Sequence, residues 1–192
     1  PVELAARHPL IDSRYNNAAL WDDKDGDLDP LGATYVFAKS ARVLGAESFT
    51  QTPVSGASQR PDGSWDVSIL KGEINAEQIV VCGGLWARDL GHMGGLHLPV
   101  QPMEHHYLIT DDIPAIGEAG IKNIINGPFT FGLGGNSMIG PVLGLHNYCV
   151  AVGLMAGFCQ GGGVGLTMAE WMIYGKPSIE VWAMDVARFG EF

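Results

Sequence analysis

Ile79-Val80-Val81-Cys82-Gly83-Gly84-Leu85-Trp86-Ala87-Arg88-Asp89-Leu90-Gly91 is the stretch on which the reading of the fold turns. An apolar, β-branched run without alternation is the mark of a strand buried on both faces. The paired glycines end that run and let the backbone lie close to a neighbour. Leu85–His92 then reads as a short helix. Strand, glycine turn and helix make the unit of an open α/β sheet, whose ligands bind beyond the carboxyl ends of the strands. The stretch therefore predicts a buried strand over Ile79–Val81 that delivers its end to a crevice, with Gly83–Trp86 as the turn into a helix.

Upstream, residues 1–25 read as the tail of a helix and a polar connection. WDDKDGDLDP (21–30) sets five aspartates around Gly26. A calcium loop needs a bidentate glutamate at its end, and here the segment runs into Pro30 instead. Asp29 as N-cap and Pro30 in the first turn account for it better, opening a helix over Leu31–Leu44 that Gly45 stops. No metal site is expected. Three β-like runs follow: ESFTQTPVSGASQ (47–59), SWDVSIL (64–70) and EINAEQIVVCGG (73–84). Arg60-Pro61-Asp62-Gly63 marks a hairpin turn between the first two, and Lys71-Gly72 separates the others.

Downstream, Val100–Thr110 reads as a strand. Asp111-Asp112-Ile113-Pro114 then leads into GEAGIKNIINGPFTF (117–131) with no clear connection between two well-formed elements. Tyr148–Val152 is a strand, followed by a glycine-dense turn and a helix from about Gly163 to Tyr174, ended by Gly175. Strand, glycine-rich turn and helix N-terminus together suit the backbone of a cofactor or an anion.

With 27 glycines among 192 residues, the chain has about twice the usual ~7%. Its net charge of −10 argues against a nucleic-acid surface, since phosphates need a basic face. Cys82, Cys149 and Cys159 form no CxxC pair, so each thiol is expected to be a small buried apolar group. PVELAARHPL carries no signal-peptide pattern, and no apolar run is long enough to span a bilayer. The expectation is a soluble protein in a reducing compartment, cytoplasmic or mitochondrial matrix.

Two series of segments carry a resemblance. DGDLDP…AKSARVLGAE…TPVSGASQRPDGSWDV…VVCGGLWARDLG…LPVQPMEHHYLITDDIP runs from Trp21 to Pro114. AGIKNIINGPFTF…IGPVLGLHNYCVAVGLMAGFCQGGGVGLTMAEWMIYGKPSIEVWAMDVARFGEF runs from Ala119 to Phe192. In this order they resemble the flavin portion of dimethylglycine and sarcosine dehydrogenases, within the D-amino-acid-oxidase-like superfamily. The resemblance implies an α/β class: a partial FAD-binding domain of the D-amino-acid-oxidase type with remnants of a β-rich substrate domain. Residues 1–98 and 132–192 would belong to the first and 99–131 to the second.

The departures from that family are equally specific. Its GxGxxG, which cradles the FAD pyrophosphate, has no counterpart, and Gly161-Gly162-Gly163-Val164-Gly165 has another spacing. The region of a covalent flavin histidine is missing too. A central segment is expected to be lacking between Ile116 and Glu118, and the chain stops where the family continues toward a folate domain. The chain is therefore read as a fragment, or as the product of a large internal deletion.

His105, within His105-His106-Tyr107, matches the family's HQY-type active-site histidine. A base or substrate-orienting group near neutral pH is a role that imidazole chemistry suits. His106 replaces the usual glutamine and should face the other side of the strand. The resemblance further implies FAD contacts at Val54, at Gly83, Gly84 and Trp86, and at Met155, Ala156, Gly157, Phe158, Cys159 and Gly161. Gly134-Gly135 stands where the family has Asp-Gly, so one polar anchor is gone. Arg88 and Lys122 are of a type that can hold a substrate carboxylate, but both sit in amphipathic contexts and read as solvated charges, so neither is nominated.

The implied function is FAD-dependent oxidative demethylation of N-methylated glycines, with a small N-methyl amino acid as substrate. The alternative is a non-catalytic relative used for protein contacts, such as the regulatory subunit of pyruvate dehydrogenase phosphatase, or an inactive truncated form. Apolar surface left uncovered would favour self-association.

Overall fold

Tyr148–Val152 (YCVAV) is buried at all five positions, as a strand covered on both faces requires. The computed structural model describes residues 2–7, 11–12, 14–26, 28–111 and 121–190. Its helices are α1 (Val2–Arg7), α2 (Pro30–Val43), α3 (Ala87–Met93) and α4 (Gly157–Tyr174). Its strands are β1 (Val54–Gln59), β2 (Trp65–Ile69), β3 (Gly72–Ala76), β4 (Ile79–Val81), β5 (Val100–Thr110), β6 (Ile121–Gly132), β7 (Met138–Pro141) and β8 (Tyr148–Val152). They form three sheets, ordered β1-β2-β3, β4-β8-β7 and β5-β6.

The second sheet organises the core. β8 runs parallel to β4, pairing Ile79 with Tyr148, and antiparallel to β7. Alternation along β8 sends Tyr148, Val150 and Val152 into one cluster with Trp65, Ala87 and Leu98. Cys149 and Ala151 enter another with Ile139, Val164 and Met168 of α4. The antiparallel β1-β2-β3 sheet seats on the first face. Trp65 Nε1 donates to the His146 carbonyl at 3.0 Å, and Asn147 Nδ2 donates to that of Gly63 at 3.2 Å. The Arg60 guanidinium, 2.6 Å from Asp66, holds that carboxyl below its usual range.

Asp29 does cap α2: its carboxylate accepts from the amides of Leu31 (3.1 Å) and Gly32 (3.0 Å). The helix buries none of its residues, so little tertiary packing supports it. Asp29→Ala should therefore cost about 1 kcal/mol of local stability. Faster amide exchange over Ala33–Val43 would report it, and unchanged exchange would show the cap idle.

Several expectations change. The run 73–84 is two strands in different sheets, broken at Glu77-Gln78, because its halves pair with β2 and β8 respectively. The first run becomes a strand only at Val54, after Pro53. α4 begins at Gly157, so the glycines at 161–163 lie inside a helix and not in a turn. Cys149 is buried as expected, but Cys82 and Cys159 are exposed. The expected gap at Ile116–Glu118 falls outside the described residues. Among the described residues no helix is long and apolar enough to cross a membrane.

Candidate functional site

β4 ends at Val81, and the chain turns through Cys82 and Gly83 into a 3₁₀ turn (Gly84–Trp86) and then α3. β8 ends at Val152 and turns through Gly153–Ala156 into α4. Because β4 and β8 are parallel, both turns lie at the same end of the sheet. The crevice foreseen from Ile79–Gly84 opens there. It is a cavity of about 540 Å³, within the usual range for small-molecule sites. Its walls include Cys82 and Gly84 from the first turn, Met155 from the second, Phe158 from the start of α4, and Phe129 and Thr130 from β6.

Among the described residues no charged side chain lines this cavity. Recognition there falls to backbone groups. Nothing caps the start of α4 with a side chain, so the first-turn amides of Gly157, Phe158 and Cys159 are left for a ligand or water. A Cβ built on Gly84, Gly157, Gly161 or Gly165 would meet nothing within 4 Å, and all four residues line the cavity. Glycines there widen the space beside exposed amides, which is the provision a flat, backbone-contacted group needs. Cys82 reaches solvent through the cavity, yet the apolar walls push its thiol pKa up by desolvation.

The residues singled out from sequence separate into groups. Gly84, Met155, Gly157, Phe158 and Gly161 share the cavity. Val54 and Gly83 instead line an adjoining cavity of about 270 Å³, which shares Val80 and Cys82 with the first. Gly83 also has a packing reason to lack a side chain, since a Cβ would lie 2.4 Å from Leu90 Cδ1 and 3.2 Å from the Ala87 nitrogen. Ala156 faces a small pocket with Gly135, Asn136 and Ser137. Trp86 and Cys159 are exposed and line neither cavity.

His105 lies on β5 opposite Gly127, with its ring centroid 4.7 Å from that of Phe129 at an interplanar angle of 53°. Phe129 is a wall residue, so His105 stands one side chain back from the cavity. His106 takes the other strand face, where its Nε2 is 3.7 Å from the Glu104 carboxylate. The wall formed by Pro128, Phe129 and Thr130 had no sequence signal. Only the β5–β6 register, Met103 against Phe129, brings it there. Among the described residues no group of three or more His, Cys, Asp or Glu is placed to hold a metal ion.

A family profile described as "DAO: FAD dependent oxidoreductase" matches residues 1–131. Over 270 aligned positions the chain is 26% identical to the mitochondrial dimethylglycine dehydrogenase of Mus musculus, covering 100% of this chain and 31% of that protein. The mitochondrial sarcosine dehydrogenase of Mus musculus is 22% identical, with 98% and 28% covered. The mitochondrial pyruvate dehydrogenase phosphatase regulatory subunit of Mus musculus is 24% identical, with 99% and 30% covered. Among solved structures, L-proline dehydrogenase from P. horikoshii superposes with a TM-score of 0.87 at 24% identity, covering 100% of this chain and 68% of that one. The chain thus spans less than a third of the length of these curated relatives. An alignment of 270 positions to 192 residues also means that the first relative carries residues inside the matched stretch that this chain does not. The expected α/β class, part of an FAD-binding fold, agrees with the superposition.

Proposed function

The chain belongs to the family of FAD dependent oxidoreductases, and from that premise we propose that it forms the flavin-side part of an enzyme that oxidatively demethylates an N-methylated glycine. The observation that carries this reading is the cavity at the shared end of β4 and β8, walled by open glycines and the uncapped start of α4. Those features fit a flavin approached by backbone. Gly84, Met155, Gly157, Phe158 and Gly161 would hold it, with Val54 and Gly83 toward the adjoining cavity. FAD, when bound, supplies the hydride-accepting chemistry that oxidation of an N-methyl C–H requires.

The chain's own residues prepare the amine. An N-methylated glycine is cationic in neutral water, and its nitrogen reacts only after losing a proton. His105, beside Phe129, accepts that proton on its imidazole nitrogen and keeps the amine neutral. Phe129 and the apolar turn residues exclude water. Residues 1–98 and 132–192 contribute to the FAD-binding part, and 99–131, containing β5, contribute to the substrate side. We assign the chain to the mitochondrial matrix, a reading supported by relatives whose names are mitochondrial.

The 192 residues contain no GxGxxG, and the pyrophosphate contacts that motif supplies are a large share of dinucleotide affinity. Titrating FAD while following flavin fluorescence should therefore show saturable binding weaker than about 1 μM. No perturbation of the flavin would refute the cofactor reading, and stoichiometric sub-micromolar binding would refute its partial character. With flavin bound and oxygen excluded, dimethylglycine should bleach the flavin absorbance. His105→Ala should slow that bleaching by about 10²-fold. A similarity to a regulatory subunit favours a second, non-catalytic reading. Flavin that binds and is not bleached by dimethylglycine or sarcosine would select it.

A further inference from the structure

A third concavity, of about 410 Å³, is lined by Arg88 and His92 of α3, by His97 in the loop after it, and by Leu98, Val100 and Leu133. It shares no lining residue with the two cavities described above. Arg88 and His92 are four residues apart on α3 and so share one helix face. The His92 and His97 rings stand edge to face, with centroids 4.8 Å apart.

The loop that returns His97 to the helix is held firmly. The Leu96 amide donates to the Gly91 carbonyl at 2.9 Å, and Leu96 is buried. Gly91 leaves no room between helix and loop, since a Cβ there would lie 2.9 Å from Leu98 Cδ1. Packing therefore fixes the backbone that carries His92 and His97, while the Arg88, His92 and His97 side chains themselves are exposed.

The chain's net charge is −10, yet among the described residues no carboxylate lines this concavity. Among the described residues Arg88, His92 and His97 make no side-chain hydrogen bond or ion pair, and the two imidazole rings lie against each other. Behind Leu133, Arg188 donates to the Leu133 carbonyl at 3.5 Å and adds a second guanidinium near the wall. The floor is apolar, with Leu98 and Val100 both buried. A guanidinium and ring N–H donors around an apolar floor are complementary to an anion with an apolar body.

We propose that this concavity binds a small organic carboxylate. The planar fork of Arg88 meets the two carboxylate oxygens, and ring N–H groups of His92 and His97 supply further donors. The hydrocarbon part lies over Leu98 and Val100. Inorganic phosphate satisfies the same donors but leaves that floor in contact with water, so it binds more weakly. The assignment does not depend on the flavin reading, because none of its residues line the cavity assigned to the cofactor.

Hexanoate and inorganic phosphate would be titrated separately into the purified chain at pH 7, following the histidine ring signals by NMR. The expected result is saturable movement of the His92 and His97 signals with hexanoate, an unmoved His105 signal, and phosphate weaker by about tenfold. Arg88→Ala should weaken hexanoate about tenfold or more, the scale of a lost charge-assisted pair. Arg88→Lys, which keeps the charge and loses the fork, should weaken it about threefold and serves if the alanine variant fails to fold. No saturable movement, equal affinity in the Arg88 variants, phosphate binding as tightly as hexanoate, or movement of His105 in step with the others would each overturn the proposal.

Discussion

Trp65→Ala should destabilise the chain by about 3–5 kcal/mol, the range for emptying a buried aromatic site. Trp65 is 2% exposed and begins β2, while its ring lies 5.0 Å from that of Tyr148 at the start of β8. It thus joins two sheets that also meet through Ala57 and the loop at 146–147. Its indole N–H donates to the His146 carbonyl, which also accepts from Gln59 Nε2 at 2.7 Å. Trp65→Phe keeps most of the packing and leaves that carbonyl one donor, so it should cost less, about 1–2 kcal/mol. Urea denaturation followed by circular dichroism orders the three proteins. A loss below about 1 kcal/mol for the alanine variant would mean that the sheets are held together elsewhere.

Gly153→Ala should be nearly as damaging, for a different reason. Gly153 has φ +69°, a conformation that costs an L-residue about 1–3 kcal/mol. A Cβ there would also lie 3.0 Å from the Gly132 nitrogen and 3.1 Å from its Cα, which are backbone atoms unable to turn aside. Gly132 ends β6 and Gly153 follows β8, so this contact is where the β5–β6 ribbon abuts the central sheet. The combined cost should be about 2–5 kcal/mol. Because Gly153 and the next residues, Leu154 and Met155, line the larger cavity, flavin perturbation should be lost in any variant that stays folded. Normal stability together with unchanged flavin binding would show that the ribbon can shift freely.

Much of this was legible in the residues because backbone needs are written in residue type. Ile79–Val81 had to be a strand, and Asp29-Pro30 had to begin a helix, and the structure agrees on both. Full burial of the strand holds only at Val81, because β4 lies at the edge of its sheet with Ile79 and Val80 half-buried. β6 escaped because Gly127 and Pro128 sit in mid-strand, the signals that ordinarily demote a strand. They are tolerated because among the described residues β6 pairs only with β5, leaving its other edge without ladder bonds there. The start of α4 escaped for a related reason. Gly157, Gly161, Gly162 and Gly163 each disfavour helix by about 1 kcal/mol, and burial of Val164 and Met168 against β8 overrides that preference. The candidate site was half visible. Resemblance pointed to both turns, and strand alternation separated His105 from His106. The wall at Phe129 depends on a register between strands far apart in sequence, which no local pattern encodes.

The pairing of β4 with β8 bears on the order in which the chain can fold. Among the described residues Ile79–Val81 pairs with Tyr148–Val150 alone, across the intervening ribbon and β7. The β1-β2-β3 hairpins need only short loops and can close early, on the microsecond scale of such turns. β4 must wait until a long loop is closed, and loop entropy is spent before any contact repays it. On a ribosome, the apolar β4 therefore stays unpaired until β8 emerges. Through that interval its edge is open to pairing with any other strand, and a chaperone that shields it would raise the yield of native chain.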